Sequence, residues 1–275
     1  MEQQKKRNRL ISLVIGLLIL AALVMPLNTQ EVSAITADLQ NPQTASDGTV
    51  TWDCVYFGHY PQGSYQPTKT PTHLTENEIY TDLDGTQFVY IENPAHNMGH
   101  YYKIEPIKWR VLSVNQKEVM LLADKNLDVG IPYNVTETDV TWETCSMRSW
   151  LNGYDSPYNI EGLDYTQDNF MEKAFTAEER EAVLEKTIRN EDNWEYGTDG
   201  GNDTKDKVFL LSIREISTPA YGFPTESYPQ ENGETREALN TAYKSSRNSN
   251  SYREGDPDWY WLRSPGGDSK CAAYI

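Results

Sequence analysis

The sequence predicts an α+β domain made mainly of antiparallel strands, with two or three short helices. Three observations support this fold class. Short segments rich in Val, Ile, Tyr and Trp follow one another with turn residues between them. Helical periodicity is confined to a few segments. The chain of 275 residues is long enough to bury a sizeable core.

The predicted strands form a meander in the first half of the chain. Within residues 107–114, apolar side chains alternate with Lys108 and Arg110, which is the period-2 pattern of a half-buried strand. Turn residues such as Pro61 and Gly63 separate the segments. The predicted strands cover residues 51–60, 87–91, 100–104, 107–114, 118–123, 207–213 and 259–263.

The helices are predicted from their capping residues. The first spans residues 142–152, between Thr141 as its cap and Gly153 as its end. The second begins at Thr176, which forms a capping box with Glu179, and runs to about residue 186. A third helix is predicted over residues 235–246.

The amino-terminal segment predicts export. Basic residues from Lys5 to Arg9 precede an apolar run over residues 10–25, and Val32-Ser33-Ala34 fits a signal-peptidase site. Residues 1–34 are therefore predicted as a signal peptide. An uncleaved membrane anchor is the alternative, because the apolar run is longer than a usual signal core yet shorter than the ~20 residues that span a bilayer.

The remainder divides into a linker and one domain. Residues 35–50 are rich in Thr, Gln, Asp and Asn without an apolar period, which predicts a flexible linker. Residues 51–275 are predicted as a single α+β domain. This body is expected outside the cytoplasm, secreted or at the cell surface, with membrane contact only through the amino-terminal segment if that segment stays uncleaved.

The charge of the chain excludes one class of partner. The formal net charge is −17 at pH 7 and the sequence pI is about 4.6. Affinity for nucleic acids and for anionic lipid headgroups comes mainly from Lys and Arg. We therefore expect no nucleic-acid binding.

No metal site, cofactor or catalytic residue is predicted. Cys54, Cys145 and Cys271 are an odd number, so at least one thiol stays unpaired, and the pairing of the others is open. None of them has Cys-x-x-Cys spacing, and His96 and His100 lie in a predicted loop. The acidic loop of residues 199–206 could bind calcium only adventitiously.

Aromatic and buried basic residues supply the candidate site. The chain has 7 Trp and 18 Tyr, and exposed aromatic faces can stack on pyranose rings. Arginines inside apolar segments must meet carboxylates or carbonyls, which predicts structural roles. The candidate ligand-binding residues are Trp52, Trp194 and Trp259; the structural candidates are Trp109, Arg148, Trp150, Trp261 and Arg263.

Four segments together resemble a known family. They are residues 107–112 (Ile-Lys-Trp-Arg-Val-Leu), 147–152 (Met-Arg-Ser-Trp-Leu-Asn), 208–212 (Val-Phe-Leu-Leu-Ser) and 261–266 (Trp-Leu-Arg-Ser-Pro-Gly). The chain from Trp52 onward resembles a domain-of-unknown-function family of exported clostridial and other Firmicutes proteins. Met147 stands where that family usually has leucine.

The resemblance implies an architecture similar to C-type-lectin-like and sulfatase-modifying-factor-like domains, and no established activity. Members of the family usually continue past the Trp-Leu-Arg-Ser-Pro-Gly motif into a Gly-Val-Arg-Pro stretch. Because this chain stops at Ile275, its domain is expected to be truncated at the carboxyl end.

These observations predict an exported, non-catalytic domain that binds glycan or extracellular protein at or beyond the cell envelope. One alternative is an enzyme, either of the sulfatase-modifying-factor type, with Cys145 and Cys271 holding copper, or a carbohydrate-active hydrolase with two facing carboxylates. The other alternative is a structural module of a larger surface protein.

Overall fold

The structure is a computed structural model, and it describes residues 21–26, 39–93, 98–115, 117–225, 235–247 and 253–275. The strands are β1 (Ala22–Pro26), β2 (Gln43–Thr44), β3 (Val50–Thr51), β4 (Cys54–Tyr65), β5 (Ile79–Thr81), β6 (Gln87–Asn93), β7 (Met98–Val114), β8 (Glu118–Ala123), β9 (Lys125–Asn126), β10 (Lys186–Ile188), β11 (Thr204–Asp206), β12 (Val208–Phe209), β13 (Ala238–Asn240), β14 (Pro257–Asp258), β15 (Trp261–Pro265) and β16 (Ala272–Tyr274). The α-helices are α1 (Ser146–Asn152), α2 (Phe170–Ala174), α3 (Ala177–Ala182) and α4 (Ala242–Arg247).

The long strand β7 organises the largest sheet, which is antiparallel. Trp109 pairs with Val55 of β4 on one side and with Ala123 of β8 on the other. Tyr102 likewise pairs with β4 on one side and with Val89 of β6 on the other. Strand β4 therefore pairs with one edge of β7. The opposite edge of β7 pairs with β6 in its first part and with β8 in its last part.

Strand β7 joins two segments that the sequence predicts as separate strands, 100–104 and 107–114. The prediction of a break between them is wrong, because the strand continues through Pro106. This proline pairs with His59, where the register of β4 shifts between Tyr56 and His59. A bulge is one of the few places in a sheet that tolerates a residue without a backbone N–H.

Strand β1 is an inner strand of the same sheet. All five of its residues pair with β8, and Ala22 and Leu23 also pair with β12. The part of the predicted signal peptide that the structure describes is thus extended, and its residues 21–25 are buried; the rest of residues 1–34 lies outside the described ranges. Within those ranges, no helix combines the length and apolar character that crossing a membrane requires.

Residues 39–50, the described part of the predicted linker, are attached to the domain. Strand β2 pairs with β3. The side chain of Asn41 accepts a hydrogen bond from the backbone N–H of Val114 at 2.6 Å. The backbone N–H of Gln40 donates to Asp53 at 2.8 Å.

The predicted third helix begins later than the sequence indicates. Residues 238–240 form β13, which pairs in parallel with β9 and antiparallel with β14. The helix α4 starts at Ala242. Pairing with distant strands overrides local helix preference here, as tertiary context commonly does.

One hydrophobic core connects the main sheet, the helices and the carboxyl-terminal strands. Trp109 and Trp142 are fully buried in it, and Trp150 of α1 is almost so. Helix α1 packs against α2 and β12. The chain is therefore a mixed α+β structure with mostly antiparallel sheets.

Candidate ligand-binding cleft

A cleft of about 330 Å³ opens beside Trp194. It is lined by residues 191–194, 212–214 and 217–219, together with Ser264. We call it the Trp194 cleft. Three separate stretches of chain form its walls, and its volume is in the range that small-molecule sites occupy.

The loop that carries Trp194 is fixed by Asn193. The buried side-chain amide of Asn193 donates to the carbonyl of Pro265 at 2.9 Å, and its oxygen accepts from the N–H of Glu195 at 3.0 Å and of Tyr196 at 3.3 Å. Asn193 thus ties the loop to the turn that follows β15. On this support the Trp194 side chain is 62% exposed to solvent.

The floor of the cleft is held by Ser264 and Glu215. The Ser264 hydroxyl accepts from the N–H of Ile213 at 3.0 Å. The Glu215 carboxylate accepts from the N–H of Ser212 at 2.8 Å and is ion-paired with the guanidinium of Arg263. Arg263, predicted to be structural, therefore lies under the cleft and neutralises a carboxylate there.

The opposite wall carries charge and an unsatisfied hydroxyl. Arg214 forms an ion pair with Glu191 at 2.7 Å, and the Arg214 side chain is largely exposed. Exposed ion pairs add little stability, so these groups can exchange partners at low cost. Within the described residues, the buried hydroxyl of Ser217 has no hydrogen-bond partner. It is able both to donate and to accept.

Trp52 lies outside the cleft and is packed against its neighbours. Its indole N–H donates to the carbonyl of Tyr221 at 2.9 Å, and its ring lies 6.4 Å from that of Phe223. Gly222 passes directly beneath the indole with a φ of 85°, and a Cβ there would lie 2.7 Å from the ring. This environment is that of a packed side chain.

Trp259 also lies outside the cleft, on the surface near the end of the chain. It is 54% exposed and stacks on Tyr274, with ring centroids 4.8 Å apart and planes at 19°. The structure therefore does not gather the three candidate tryptophans in one site. Only Trp194 lines the cleft.

The three tryptophans predicted to be structural are buried, and each has a defined partner. The indole N–H of Trp109 donates to the carbonyl of Phe57 at 2.7 Å. The ring of Trp150 lies 5.9 Å from that of Phe170. Trp261 packs against Tyr133 at 5.7 Å between ring centroids.

Arg148, the other predicted structural arginine, does not line the cleft and lies in a buried ion pair. Its Nε donates to Asp206 at 2.7 Å, and both side chains are almost completely buried. Asp206 ends the acidic loop that the sequence indicates as a weak calcium candidate. Its carboxylate is instead the counter-ion of Arg148.

The cysteines do not provide a thiolate pair. All three are free. Cys145 is buried at the start of α1, and its sulfur accepts from the N–H of Arg148 at 3.4 Å. Burial raises the pKa of the Cys145 thiol to about 12, whereas metal binding needs thiolate. In the described part of the chain, no three His, Cys, Asp or Glu side chains converge as a metal site requires.

A second cavity of about 430 Å³ lies between the main sheet and helices α2 and α3. Its aromatic side chains, Tyr60, Phe175 and Tyr243, are buried, so it offers no exposed ring to a ligand. Its two glutamates have partners. Glu172 is paired with Arg180 at 2.9 Å, and Glu179 accepts from the N–H of Gly58 at 3.2 Å. The Trp194 cleft, with its exposed indole and its exposed Arg214 side chain, is the better candidate for ligand binding.

Sequence reasoning missed most of the cleft. It identified Trp194 but not Glu191, Arg214 or Ser217, which follow no motif. Only the β-prone run before Ser212 and the Trp-Leu-Arg-Ser-Pro-Gly segment containing Ser264 drew attention to this region. The sequence of neither segment shows that it lies beside the loop that carries Trp194.

One family comparison matches the chain. The family model described as "Domain of unknown function (DUF6273)" covers residues 117–275, which is more than half of the sequence and includes the whole Trp194 cleft. No curated protein and no solved structure matches the chain. The match begins at Lys117 and includes three of the four segments on which the resemblance depends. The chain belongs to the DUF6273 family of domains of unknown function.

Proposed function

We propose that this chain is an exported, non-catalytic domain that binds glycan through the Trp194 cleft, at or beyond the cell envelope. The observation that carries the proposal is the exposed indole of Trp194, held over a cleft by a loop with fixed hydrogen bonds. The apolar face of a pyranose ring stacks on an indole, while the sugar hydroxyls remain free for hydrogen bonding.

Preorganisation favours Trp194 as the stacking platform. Its loop is anchored by Asn193, and Thr198 adds a hydrogen bond to the carbonyl of Gly266 at 2.9 Å. A platform fixed before binding loses little conformational entropy when the ligand arrives. Binding energy from stacking is then retained as affinity.

The polar wall favours a hydroxyl-rich ligand. Arg214 supplies donors and Glu191 supplies acceptors. Hydrogen bonds to charged groups are stronger than those between neutral groups. A net charge of −17 disfavours acidic sugars, so the expected ligand is a neutral glycan.

Cleft size favours a glycan over a protein partner. A volume of about 330 Å³ suits one or two sugar rings. A protein interface needs roughly 800 Å² on each partner, mostly on flatter surfaces. A folded extracellular protein is therefore the less favoured ligand.

The carboxylates at the cleft argue against glycoside hydrolysis. A hydrolase needs one carboxylate as acid and another as base or nucleophile, about 5 to 9 Å apart. Here Glu191 is paired with Arg214, Asp192 accepts a hydrogen bond from the N–H of Gly200 at 3.0 Å, and Glu215 is paired with Arg263 beneath the floor. Each of these carboxylates is thus engaged by a neighbouring group of the chain.

Similarity to C-type-lectin-like domains is part of the proposal. The antiparallel main sheet and short helices are compatible with it. An experimentally determined structure, superposed on such domains, would test this fold relationship separately from binding.

The binding proposal is tested by probing a glycan array with the purified chain, with and without calcium, and measuring the affinity of any hit by calorimetry. Trp194→Ala should weaken binding at least tenfold, because the stacking surface is lost. Trp259→Ala is the matched control, since it removes an indole of similar exposure, 54% against 62%, outside the cleft.

Both variants should keep the wild-type melting temperature within a few degrees, since exposed substitutions usually change stability by about 0.5 kcal/mol or less. An array that stays silent in both conditions would contradict the proposal. So would equal binding by the wild type and the Trp194→Ala variant.

A further inference from the structure

We propose that Lys244 and Asp258 react with each other in the folded chain to form an intramolecular isopeptide bond, which joins helix α4 covalently to strand β14. Neither residue lines the Trp194 cleft. The inference is therefore independent of the function proposed for that cleft.

The two side chains form an ion pair that is almost completely buried. The side chain of Lys244 is 0% exposed and that of Asp258 is 5% exposed. The pair of Lys108 and Asp124, by contrast, lies at the surface, with side chains 43% and 25% exposed. Burial of an ion pair is costly because both charges lose their hydration, and their mutual attraction offsets this loss only in part.

Burial favours the uncharged form of this pair. It lowers the pKa of the Lys244 amine, against the opposing effect of the Asp258 carboxylate. Transfer of one proton from Nζ of Lys244 to Oδ2 of Asp258 turns two ions into a neutral amine and a neutral carboxylic acid, which a dry environment favours. The unprotonated amine is a nucleophile, and the protonated carboxyl group is able to release its hydroxyl.

The carboxyl group of Asp258 is held in position for attack. Nζ of Lys244 contacts Oδ2, whereas Oδ1 accepts a hydrogen bond from the backbone N–H of Trp259 at 2.9 Å. When the amine attacks Cγ, negative charge develops on the carbonyl oxygen, and a backbone N–H in this place stabilises that charge. Oδ1 thus remains as the amide oxygen, and Oδ2 is the oxygen that leaves.

The fold fixes both ends of the pair. Asp258 pairs with Ala238 of β13, and its carbonyl accepts from the side-chain amide of Asn126 at 3.5 Å. The N–H of Lys244 donates to the hydroxyl of Thr241 at 3.2 Å, and α4 packs against β4. Well-oriented groups within one molecule react as if each were present at an effective concentration on the order of 10⁵–10⁸ M.

The reaction is a condensation that needs no co-reactant. A bond forms between Nζ of Lys244 and Cγ of Asp258, and the bond between Cγ and Oδ2 breaks. Two of the three ammonium protons leave with Oδ2 as water, and the third stays on the amide nitrogen. The product carries no charge, so the desolvation cost of the buried ion pair is removed.

Mass spectrometry of the purified full chain tests the proposal. Under denaturing conditions, the intact mass should be lower than the mass calculated from the sequence by one water, about 18 Da. After digestion with trypsin, the peptide of residues 237–247 should stay uncleaved at Lys244 and should be joined to the peptide of residues 254–263. Lys108 is the internal control, because its exposed pair with Asp124 should not react and trypsin should cleave after it.

Two variants test which side chains react. Lys244→Arg keeps the positive charge but cannot form this amide, so it should show its full calculated mass and no joined peptide. Asp124→Asn alters the exposed pair and should lose one water and give the joined peptide as the wild type does.

Full mass and cleavage after Lys244 in the wild-type chain would overturn the proposal and leave an ordinary buried ion pair. A loss of water that peptide fragmentation locates at another residue would overturn it as well. If Lys244→Arg does not fold, the wild-type digest alone decides the proposal.

Discussion

The carboxylate of Asp206 is buried where β11 meets α1, and it accepts four side-chain hydrogen bonds. The donors are Arg148 at 2.7 Å, Tyr154 at 3.2 Å, Trp142 at 2.9 Å and Thr204 at 2.6 Å. A buried carboxylate is stable only when its charge is compensated in this way. The sequence predicts that Arg148 needs such a partner, but no local pattern identifies a residue 58 positions away.

Replacing this carboxylate should be costly. Asp206→Asn leaves the guanidinium of Arg148 buried without a counter-ion, so we expect the free energy of unfolding to fall by about 3–5 kcal/mol. Urea denaturation measures the change. The control is Asp203→Asn, at an exposed residue of the same loop, which should cost about 1 kcal/mol or less. An equal decrease in the free energy of unfolding for the two variants would contradict the role of Asp206 as the counter-ion of Arg148.

Cys145 and Cys271 should differ in reactivity. Because burial raises the pKa of Cys145 to about 12, its thiol remains protonated at pH 8, and its sulfur is shielded from solvent. Cys271 is exposed. Treatment of the native chain with iodoacetamide should modify Cys271 and leave Cys145 unmodified until denaturant is added. Mass spectrometry of tryptic peptides checks this; equal modification in the native chain would contradict it.

At the scale of elements, a capping box locates the start of a helix, whereas the end of that helix depends on distant strands. The capping box of Thr176 and Glu179 is confirmed, with Glu179 N–H donating to Thr176 at 3.2 Å and Thr176 N–H donating to Glu179 at 2.8 Å. The predicted end near Lys186 is wrong. Helix α3 stops at Ala182 because residues 186–188 pair with β11.

The capping box gives a prediction for α3. Thr176→Ala removes the hydroxyl that satisfies an exposed amide at the helix start, and should lower the free energy of unfolding by about 1 kcal/mol. Thr176→Ser keeps the hydroxyl and should remain close to the wild type. Thermal denaturation distinguishes the two variants. A serine variant as unstable as the alanine variant would show that the methyl group, rather than the cap, is responsible.

Elements that depend on distant partners are where sequence reasoning is weakest. Strand β13 adopts an extended conformation because it pairs with β9 and β14, more than a hundred residues and about twenty residues away respectively. The walls of the Trp194 cleft likewise come from segments that are not adjacent in the sequence. Its tryptophan is recognisable, but residues 212–219 reach it only through the fold. A candidate such as Trp194 can be recognised from its residue type. A site formed by several segments of the chain cannot, because the sequence does not show which segments meet.

At the scale of the whole molecule, the acidic surface and the amino-terminal segment define where the protein should be found. The segment of basic and apolar residues predicts export, and the net charge of −17 suits a soluble body that avoids anionic membranes. Secretion and ligand binding remain predictions that need separate measurements, because neither follows from the family match.

Fractionation of the producing bacterium should place the protein outside the cytoplasm. Cleavage after Ala34 should give a species that lacks residues 1–34 by intact mass, whereas retention of the full mass in the membrane fraction would support the anchor alternative. Recovery from the cytosol alone would contradict the export prediction. A purified cytosolic marker enzyme and a known secreted protein serve as controls for the fractions.

The distance along the chain between β1 and its partners sets a delay during synthesis. Leu23 pairs with Leu121 and Val208. At translation rates of about 5–20 residues per second, it must wait roughly 5–20 s for the first partner and roughly 10–40 s for the second to be made. Throughout that interval the apolar segment of the nascent chain lies outside the ribosome without its partner strands. If this segment acts as the signal peptide that the sequence predicts, targeting factors would bind it before its partner strands have been made.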